Sequence, residues 1–231
     1  MISICLPSRR RAKFFKRMCE SALDTASDVN NIEFVVYRDE DDKHVYEYFG
    51  NHKVVVGKRK DNVFGMWNDA QQISTGPYYM YMADDFVFDT KDWDKEVMQL
   101  FDKYDDKIVL LAVNDGTSSF KYGYSGIGVV HKNWVDAVGY LFPDYFYPNC
   151  ADKWVNDLAV LINRLEKTKF SCIPKEDETH DRVHWRKCHL TRRWRPVYWE
   201  EEATRLRQQD ADKLMKVINE YKIINSNPSV K

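Results

Sequence analysis

Two adjacent carboxylates, Asp84 and Asp85, end the apolar and aromatic run Tyr78-Tyr79-Met80-Tyr81-Met82-Ala83, and the apolar pattern resumes at Phe86-Val87-Phe88. Ionised acids are costly in the middle of a buried strand. The expected geometry is a strand that ends at Ala83 and presents both acids at its rim. Hard oxygen ligands on a rigid edge suit a divalent cation, and such a cation commonly serves phosphate oxygens. A plain polar turn between two strands has the same local sequence, so the decision rests on what else reaches that edge.

The elements that would position the pair alternate in type. Ile2–Leu6 reads as a buried strand stopped by Pro7, with Ser8 as a candidate cap for a helix carrying Phe14, Phe15, Met18, Cys19 and Ala22. Phe34–Tyr37 is a second strand, running into Arg38-Asp39-Glu40-Asp41-Asp42, and Val54–Val56 a third, followed by Gly57 and Lys58-Arg59-Lys60. Met66, Trp67, Ala70 and Ile73 mark a helix closed by Gly76-Pro77. Further on come a helix at Trp93–Tyr104, strands at Ile108–Val113 and Gly126–His131, a helix over Trp154–Leu165, a strand at Phe170–Ile173 and a helix bearing Leu206, Leu214, Val217, Ile218 and Tyr221.

Such alternation predicts an α/β domain with a mostly parallel central sheet flanked by helices. Ligands of such sheets lie beyond the carboxyl ends of the strands. Ser8 and Arg9, Asp39 to Asp42, Lys58 to Lys60, and Asp84 with Asp85 all fall there, which favours a site over a turn. A C-terminal helical appendage completes the expected fold. Residues 1–185 are expected to form the main domain, in two halves at about 1–90 and 91–185. Residues 186–231 form a basic, aromatic segment and helix packed on it.

Composition sets bounds. The 231 residues are 44% hydrophobic and 31% charged, enough for a substantial core. The 7 Trp, 14 Tyr and 12 Phe also supply stacking surfaces for sugars or bases. A net charge of −1 gives no global basic field, so a nucleic-acid role would need a local patch. Cys5, Cys19, Cys150, Cys172 and Cys188 are scattered, without a metal-type pair, and suit a reducing compartment. With no signal-like leader and no membrane-length window, a cytoplasmic location is expected, host cytoplasm if the chain is phage-encoded.

The pattern resembles the GT-A fold, Rossmann-like glycosyltransferases, especially the inverting family 2 type that includes polysaccharide synthases and small phage and bacterial enzymes. The resemblance rests on the opening strand into Pro7-Ser8-Arg9, the strand ending near Asp39, Met66-Trp67-Asn68 before a Gly-Pro turn, Ala83-Asp84-Asp85, and the later acidic segment Cys150-Ala151-Asp152-Lys153-Trp154. Two departures stand out. The usual Asp-x-Asp spacing is replaced by adjacent acids, and the usual Glu-Asp pair near the base reads Ala151-Asp152.

The resemblance implies displacement at the anomeric carbon of a nucleotide sugar, with UDP the expected nucleotide, a donor-binding half at about 1–90 and an acceptor half at about 91–185. A cation would stabilise the departing diphosphate, and a positioned base would take the acceptor's proton. Asp85 is the first choice for direct metal ligand, and Asp84 would hold the donor ribose or a metal-bound water. A third ligand is expected at His180, with His184 as alternative; a mixed carboxylate–imidazole set suits Mn2+ somewhat better than Mg2+. Asp152 is the leading base, although it is also well placed to cap its helix; Asp157 is the runner-up.

For the donor, Pro7, Ser8 and Arg9 resemble the first loop, Asp39 the carboxylate that accepts from the uracil imide, and Arg59 and Asn68 are further candidate contacts. Trp67 is more naturally core than a stacking platform. Gly123 to Gly128 offers a floor under the sugar. Arg186, Arg192, Arg193 and Trp194, in a stretch of interleaved basic and aromatic residues from His180 to Arg207, are the candidate acceptor contacts. That stretch fits a phosphate backbone with stacked bases, a diphosphate clamp, or a cover on the sheet. The preferred acceptor is a hydroxymethyl- or hydroxy-pyrimidine of phage DNA, against a surface polysaccharide or protein. A nucleotidyltransferase and a non-catalytic nucleic-acid-binding protein are the other readings. The first would want a glycine-rich loop after the opening strand, where Pro7-Ser8-Arg9-Arg10-Arg11 has none.

Overall fold

The computed structural model describes residues 1–44, 46, 51–60, 63–143, 151–175 and 201–226. Runs that are apolar on both sides become strands buried on both faces. These are β1 (Ile2–Pro7), β2 (Ile32–Asp39), β4 (Tyr78–Tyr81) and β6 (Leu110–Asn114). Alternation splits β4 between two cores. Tyr78 and Met80 join the cluster holding Phe15, Met18 and Trp93, while Tyr79 and Tyr81 join the one holding Trp134, Trp154 and Leu214. The remaining strands are β3 (His52–Gly57), β5 (Phe86–Phe88), β7 (Gly128–His131) and β8 (Leu165–Pro174).

The eight strands form one sheet in the order β3-β2-β1-β4-β7-β6-β8-β5. Strands β3, β2, β1 and β4 are all parallel, as are β6 and β8, whereas β7 runs antiparallel to both β4 and β6, and β5 to β8. The sheet is thus mostly parallel, as expected. Its carboxyl edge gathers the ends of β1, β2, β3, β4 and β6 together with the start of β7.

Six helices are described: α1 (Ala12–Thr25), α2 (Phe64–Gln72), α3 (Trp93–Asp102), α4 (Lys132–Val138), α5 (Ala151–Leu161) and α6 (Glu201–Ser226). Phe15, Met18, Cys19 and Ala22 form the buried face of α1 at helical spacing. The C-terminal helix α6 lies on α4 and α5. Its inward face includes Arg207 and Asp210 as well as Leu214 and Ile218.

Several expected boundaries move. The strand before the acid pair ends at Tyr81, not Ala83, and the acids sit in the turn between β4 and β5. Ser8 does not cap α1; the N-cap is Arg11, with no side-chain capping bond. Leu165 opens β8 instead of closing α5, because Asn163 adopts a left-handed φ of 54° and Arg164 N–H turns back to Ala159 O at 2.8 Å. Cys5, Cys19 and Cys172 are free and buried; Cys150 and Cys188 lie outside the described residues. Among the described residues, no helix is long and apolar enough to cross a membrane.

Candidate active site

The loop after β1 carries Ser8 and three consecutive arginines, and the fold directs them to two acid groups. The Ser8 backbone N–H donates to Tyr37 O at 2.9 Å, which continues the β1–β2 ladder past Pro7. Ser8 Oγ then donates to Asp84 Oδ2 at 2.6 Å. Arg9 pairs with Asp39 and, through Nη2 at 2.7 Å, with Asp41. Arg10 takes a left-handed φ of 56°, and its N–H donates to Asp42 Oδ2 at 2.6 Å. Asp42 also accepts from His44 and from Tyr46 Oη, and these bonds hold its carboxyl well below the usual range against the opposing effect of burial.

Arg11 reaches the acid pair itself. Its Nε lies 3.1 Å from Asp84 Oδ1 and its Nη2 lies 3.3 Å from Asp85 Oδ2. Asp84 is 2% exposed, and burial pushes its carboxyl up to about 6, with Arg11 and Ser8 opposing and Asp85 adding to the rise. The side chain of Asp85 is 17% exposed, the more open of the two. Lys175, the first residue past β8, donates its N–H to Asp85 O at 2.9 Å. The Trp67 indole donates to Met82 O at 3.3 Å and packs edge-on against Phe142, so it braces the turn from within the core, as its sequence context suggested.

A second acidic group stands where β6 ends and β7 begins. Asp115, 3% exposed, accepts from Gly126 N–H at 2.9 Å and from Thr117 N–H at 3.0 Å. Asp152, in the first turn of α5, accepts from Tyr124 Oη and from Lys153 N–H at 2.8 Å. Burial raises the Asp152 carboxyl; the Tyr124 bond opposes that rise and the negative charge of Asp115 adds to it. A Cβ on Gly126 would lie 3.7 Å from Asp115 Oδ2 and 3.9 Å from Asp152 Oδ2, so Gly126 backs onto both acids. Tyr81, at the end of β4, carries its hydroxyl against Gly128, where a Cβ would come within 2.4 Å of it. Burial raises the Tyr81 phenol well above its ordinary value, and Asp152 and Asp115 add to the rise. One strand therefore leads to the Asp84–Asp85 turn and borders the acids near α5.

The structure brings together Pro7, Ser8, Arg9, Asp39, Asp84 and Asp85 at one edge, with Arg59 exposed on the loop after β3. It gives Asn68 different work from a donor contact. Its carbonyl accepts from Leu141 N–H (3.1 Å) and Phe142 N–H (2.9 Å), and its amide donates to Phe142 O (2.8 Å). Asp157 is held by Lys153 at 2.7 and 2.8 Å, one turn along α5, which suits a solvated helix face better than a base. His180, His184, Arg186, Arg192, Arg193 and Trp194 lie outside the described residues. Arg11 and Asp115 were missed as site residues. Asp115 follows a strand at the same edge as the other acids, a signal that was there to be used.

The donor set at the β4–β5 turn fits a divalent cation in kind, since two adjacent carboxylates supply hard oxygens at a rigid edge. Among the described residues no cluster of three or more His, Cys, Asp or Glu completes such a site. A further ligand would have to come from elsewhere in the chain, from water or from substrate.

Comparison with known proteins identifies the family and the fold. The family model for glycosyl transferase family 2 covers residues 3–141. The chain belongs to that family. No curated protein matches it. Among solved structures, S. aureus TarS 1–349 in complex with UDP-GlcNAc aligns with a TM-score of 0.61 at 15% identity, over 77% of this chain and 59% of that one. The mannosyltransferase PcManGT from Pyrobaculum calidifontis, in complex with GDP-Man and Mn2+, gives 0.61 at 9% identity, over 100% of this chain and 75% of that one. Glucosyl-3-phosphoglycerate synthase from Mycobacterium tuberculosis, with Mg2+ and UDP, gives 0.54 at 8%, over 77% and 72%. At these identities the likeness is one of fold, and the family 2 chain described here spans about 60% of TarS 1–349. The GT-A architecture expected from the sequence is the one observed.

Proposed function

We propose that this family 2 chain is an inverting glycosyltransferase that moves a sugar from a nucleotide sugar, UDP-linked by preference, to an acceptor hydroxyl. The observation that carries the reading is the convergence of Ser8, Asp39, Asp84 and Asp85 at the carboxyl edge of four parallel strands, with Asp152 beside the next strand. Asp39 would meet the nucleobase, using the carboxylate oxygen that Arg9 leaves. Pro7 and Ser8 would shape the nucleoside pocket, and Arg59 would approach the diphosphate from the β3 side. Asp152 would take the proton of the attacking hydroxyl as its oxygen closes on the anomeric carbon from the face opposite the leaving diphosphate. Its raised carboxyl makes it a better proton acceptor than an ordinary surface acid, while the Tyr124 bond favours its ionised form and orients it.

Asp85, Asp84 and His180, or His184 in its place, would hold Mn2+ or Mg2+. Bound there, the ion supplies charge stabilisation to the departing diphosphate. The histidine assignment is supported by the path of the chain, which leaves β8 at Lys175 beside Asp85 shortly before His180.

For the acceptor we propose a hydroxymethyl- or hydroxy-pyrimidine of DNA. The support is the sequence pattern of Arg186, Arg192, Arg193 and Trp194. The described end of that basic stretch contributes less than its composition suggested. Arg205 pairs with Glu202, and the buried Arg207 lies 5.3 Å over the Trp154 ring.

A thermal-shift panel of nucleoside diphosphates and nucleotide sugars, with and without Mn2+, tests the donor. A ligand at a hundred times its Kd adds about 2.7 kcal/mol, or roughly 5–10 °C for a chain of this size. Asp85→Ala should keep the fold and lose donor hydrolysis and transfer. Full activity of that variant in excess chelator would remove the metal-assisted mechanism. Absence of DNA affinity at low salt would remove the proposed acceptor.

A further inference from the structure

We propose that Arg11 is the resident counter-charge of the Asp84–Asp85 pair, and that it must leave this post for a divalent cation to enter. Metal and donor diphosphate would then bind as a coupled pair, with the diphosphate receiving the displaced guanidinium. The inference rests on the nucleotide-sugar reading above and goes beyond it to the order in which the site fills.

The geometry separates Arg11 from its neighbours. Arg9 is committed to Asp39 and Asp41, and Arg10 contributes its backbone to Asp42. Arg11 alone of the three spans both acids of the pair, Nε to Asp84 at 3.1 Å and Nη2 to Asp85 at 3.3 Å. Its guanidinium also rests 4.6 Å over the Phe14 ring. The second Asp84 oxygen is taken by Ser8 Oγ at 2.6 Å. A cation coordinated by Asp84 and Asp85 would therefore meet the Arg11 charge already resting on Asp84 Oδ1 and Asp85 Oδ2, and two like charges at contact distance repel strongly at a protein edge.

Arg11 is less confined than Asp84. Its side chain is 35% exposed, although its Nη2 is buried against the pair, whereas that of Asp84 is 3% exposed and held in the β4–β5 turn. Its backbone is anchored at the start of α1, where Arg11 O accepts from Phe14 and Phe15 N–H, so a change of rotamer suffices to swing the guanidinium along the edge. A planar guanidinium matches phosphate oxygens as well as it matches carboxylates. Arrival of a diphosphate supplies the new partner, and its negative charge also draws in the cation. By linkage, whatever the diphosphate adds to metal affinity the metal adds to diphosphate affinity.

The test is Mn2+ binding, read from the electron paramagnetic resonance signal of free Mn2+ and by calorimetry. It uses the full chain as wild type, Arg11→Met, Arg11→Gln and Arg11→Lys, each with and without UDP. Circular dichroism and the thermal midpoint report folding. Without UDP, both neutral variants should bind Mn2+ about tenfold or more tightly than wild type, while Arg11→Lys, which keeps the charge, stays within about threefold. With UDP, the wild-type affinity for Mn2+ should rise by a larger factor than in either neutral variant. Equal or weaker Mn2+ binding by both folded neutral variants without UDP overturns the proposal, as does a lack of measurable Mn2+ binding by either of them at millimolar metal. If UDP binds none of the proteins while the neutral variants still gain Mn2+, the nucleotide-sugar reading falls and the role of Arg11 stands.

Discussion

Tyr81→Phe should make this protein more stable and a worse catalyst. Tyr81 is 1% exposed, and among the described residues its hydroxyl has no hydrogen-bond partner. A buried hydroxyl without a partner costs about 1–3 kcal/mol relative to an apolar group of the same shape. Phenylalanine keeps the ring that packs edge-on against Phe142 at 4.9 Å and removes only the oxygen pressed against Gly128. Taking the lower part of that range, about 1–2 kcal/mol, the midpoint should rise by roughly 2–8 °C for a domain of this length. A buried, unsatisfied polar group at the end of a strand that borders Asp115 and Asp152 has a reason to persist if it serves the reacting hydroxyl, and such groups trade stability for activity. The assay is a pair of measurements on one preparation, the thermal midpoint without ligand and kcat/KM for sugar transfer. A lower midpoint would refute the reasoning, because it would mean that the hydroxyl is satisfied in the folded protein. A higher midpoint with unchanged kcat/KM would leave the stability argument intact and remove the functional one.

Tyr124→Phe removes the hydroxyl that favours the ionised form of Asp152, so the Asp152 carboxyl rises further above its already raised value. Activity that needs the carboxylate climbs as pH rises through that value, so the acid limb of kcat/KM should move upward by about one pH unit; a limb that stays put or moves down counts against Asp152 as the base. Asn68→Ala leaves the Leu141 and Phe142 N–H groups without their acceptor and should cost about 2–4 kcal/mol in urea unfolding. Its UDP affinity by calorimetry should stay within about threefold of wild type, whereas a large loss of affinity in the folded variant would restore Asn68 to the donor contacts.

What the sequence disclosed follows from how each element is buried. Ile2–Leu6, Phe34–Tyr37 and Tyr78–Tyr81 read as strands because both of their faces meet core, so nothing polar breaks the run. β5 was obscured because three residues, Phe86–Phe88, are too few to show a period. The helix α4 was missed because Lys132–Val138 is short and follows β7 with no loop between them. Leu165 was drawn into α5 because Leu158, Leu161 and Leu165 keep helical spacing, although Asn163 was a readable stop. The face of α6 was only partly read, since buried Arg207 and Asp210 look like solvent residues until Trp154 and Tyr140 are seen to receive them. The position of the acid pair was legible because it follows from where a strand must end. Which arginine faces which aspartate was not, because that depends on the left-handed turn at Arg10, and nothing in Pro7-Ser8-Arg9-Arg10-Arg11 announces it.

The charge around the carboxyl edge argues for what that edge must recruit. Asp39, Asp41, Asp42, Asp84, Asp85, Asp115 and Asp152 all gather there, and Arg9 and Arg11 of the first loop are spent on four of them, while Arg10 gives Asp42 only its backbone N–H. Arg9 is neutralised by Asp39 and Asp41, and Arg11 by Asp84 and Asp85. Lys60 is drawn back to Asp69 and to Gly65 O at 3.2 Å. Among the described residues, a diphosphate approaching this edge meets net negative charge, relieved by exposed Arg10 on the first loop and by exposed Lys58 and Arg59 on the β3 side. Binding two phosphates there demands added positive charge, and two sources are available to the chain. One is a divalent cation on Asp84 and Asp85. The other is the basic stretch that follows Lys175, which leaves β8 at the acid pair itself. If the second source serves, the arginines that suggested a nucleic-acid track would act at the leaving group, and a DNA acceptor would have to share them with it. That competition makes salt dependence diagnostic. If the arginines serve the diphosphate, rising salt weakens donor binding along with DNA binding; if they serve DNA alone, donor affinity holds while DNA affinity falls steeply.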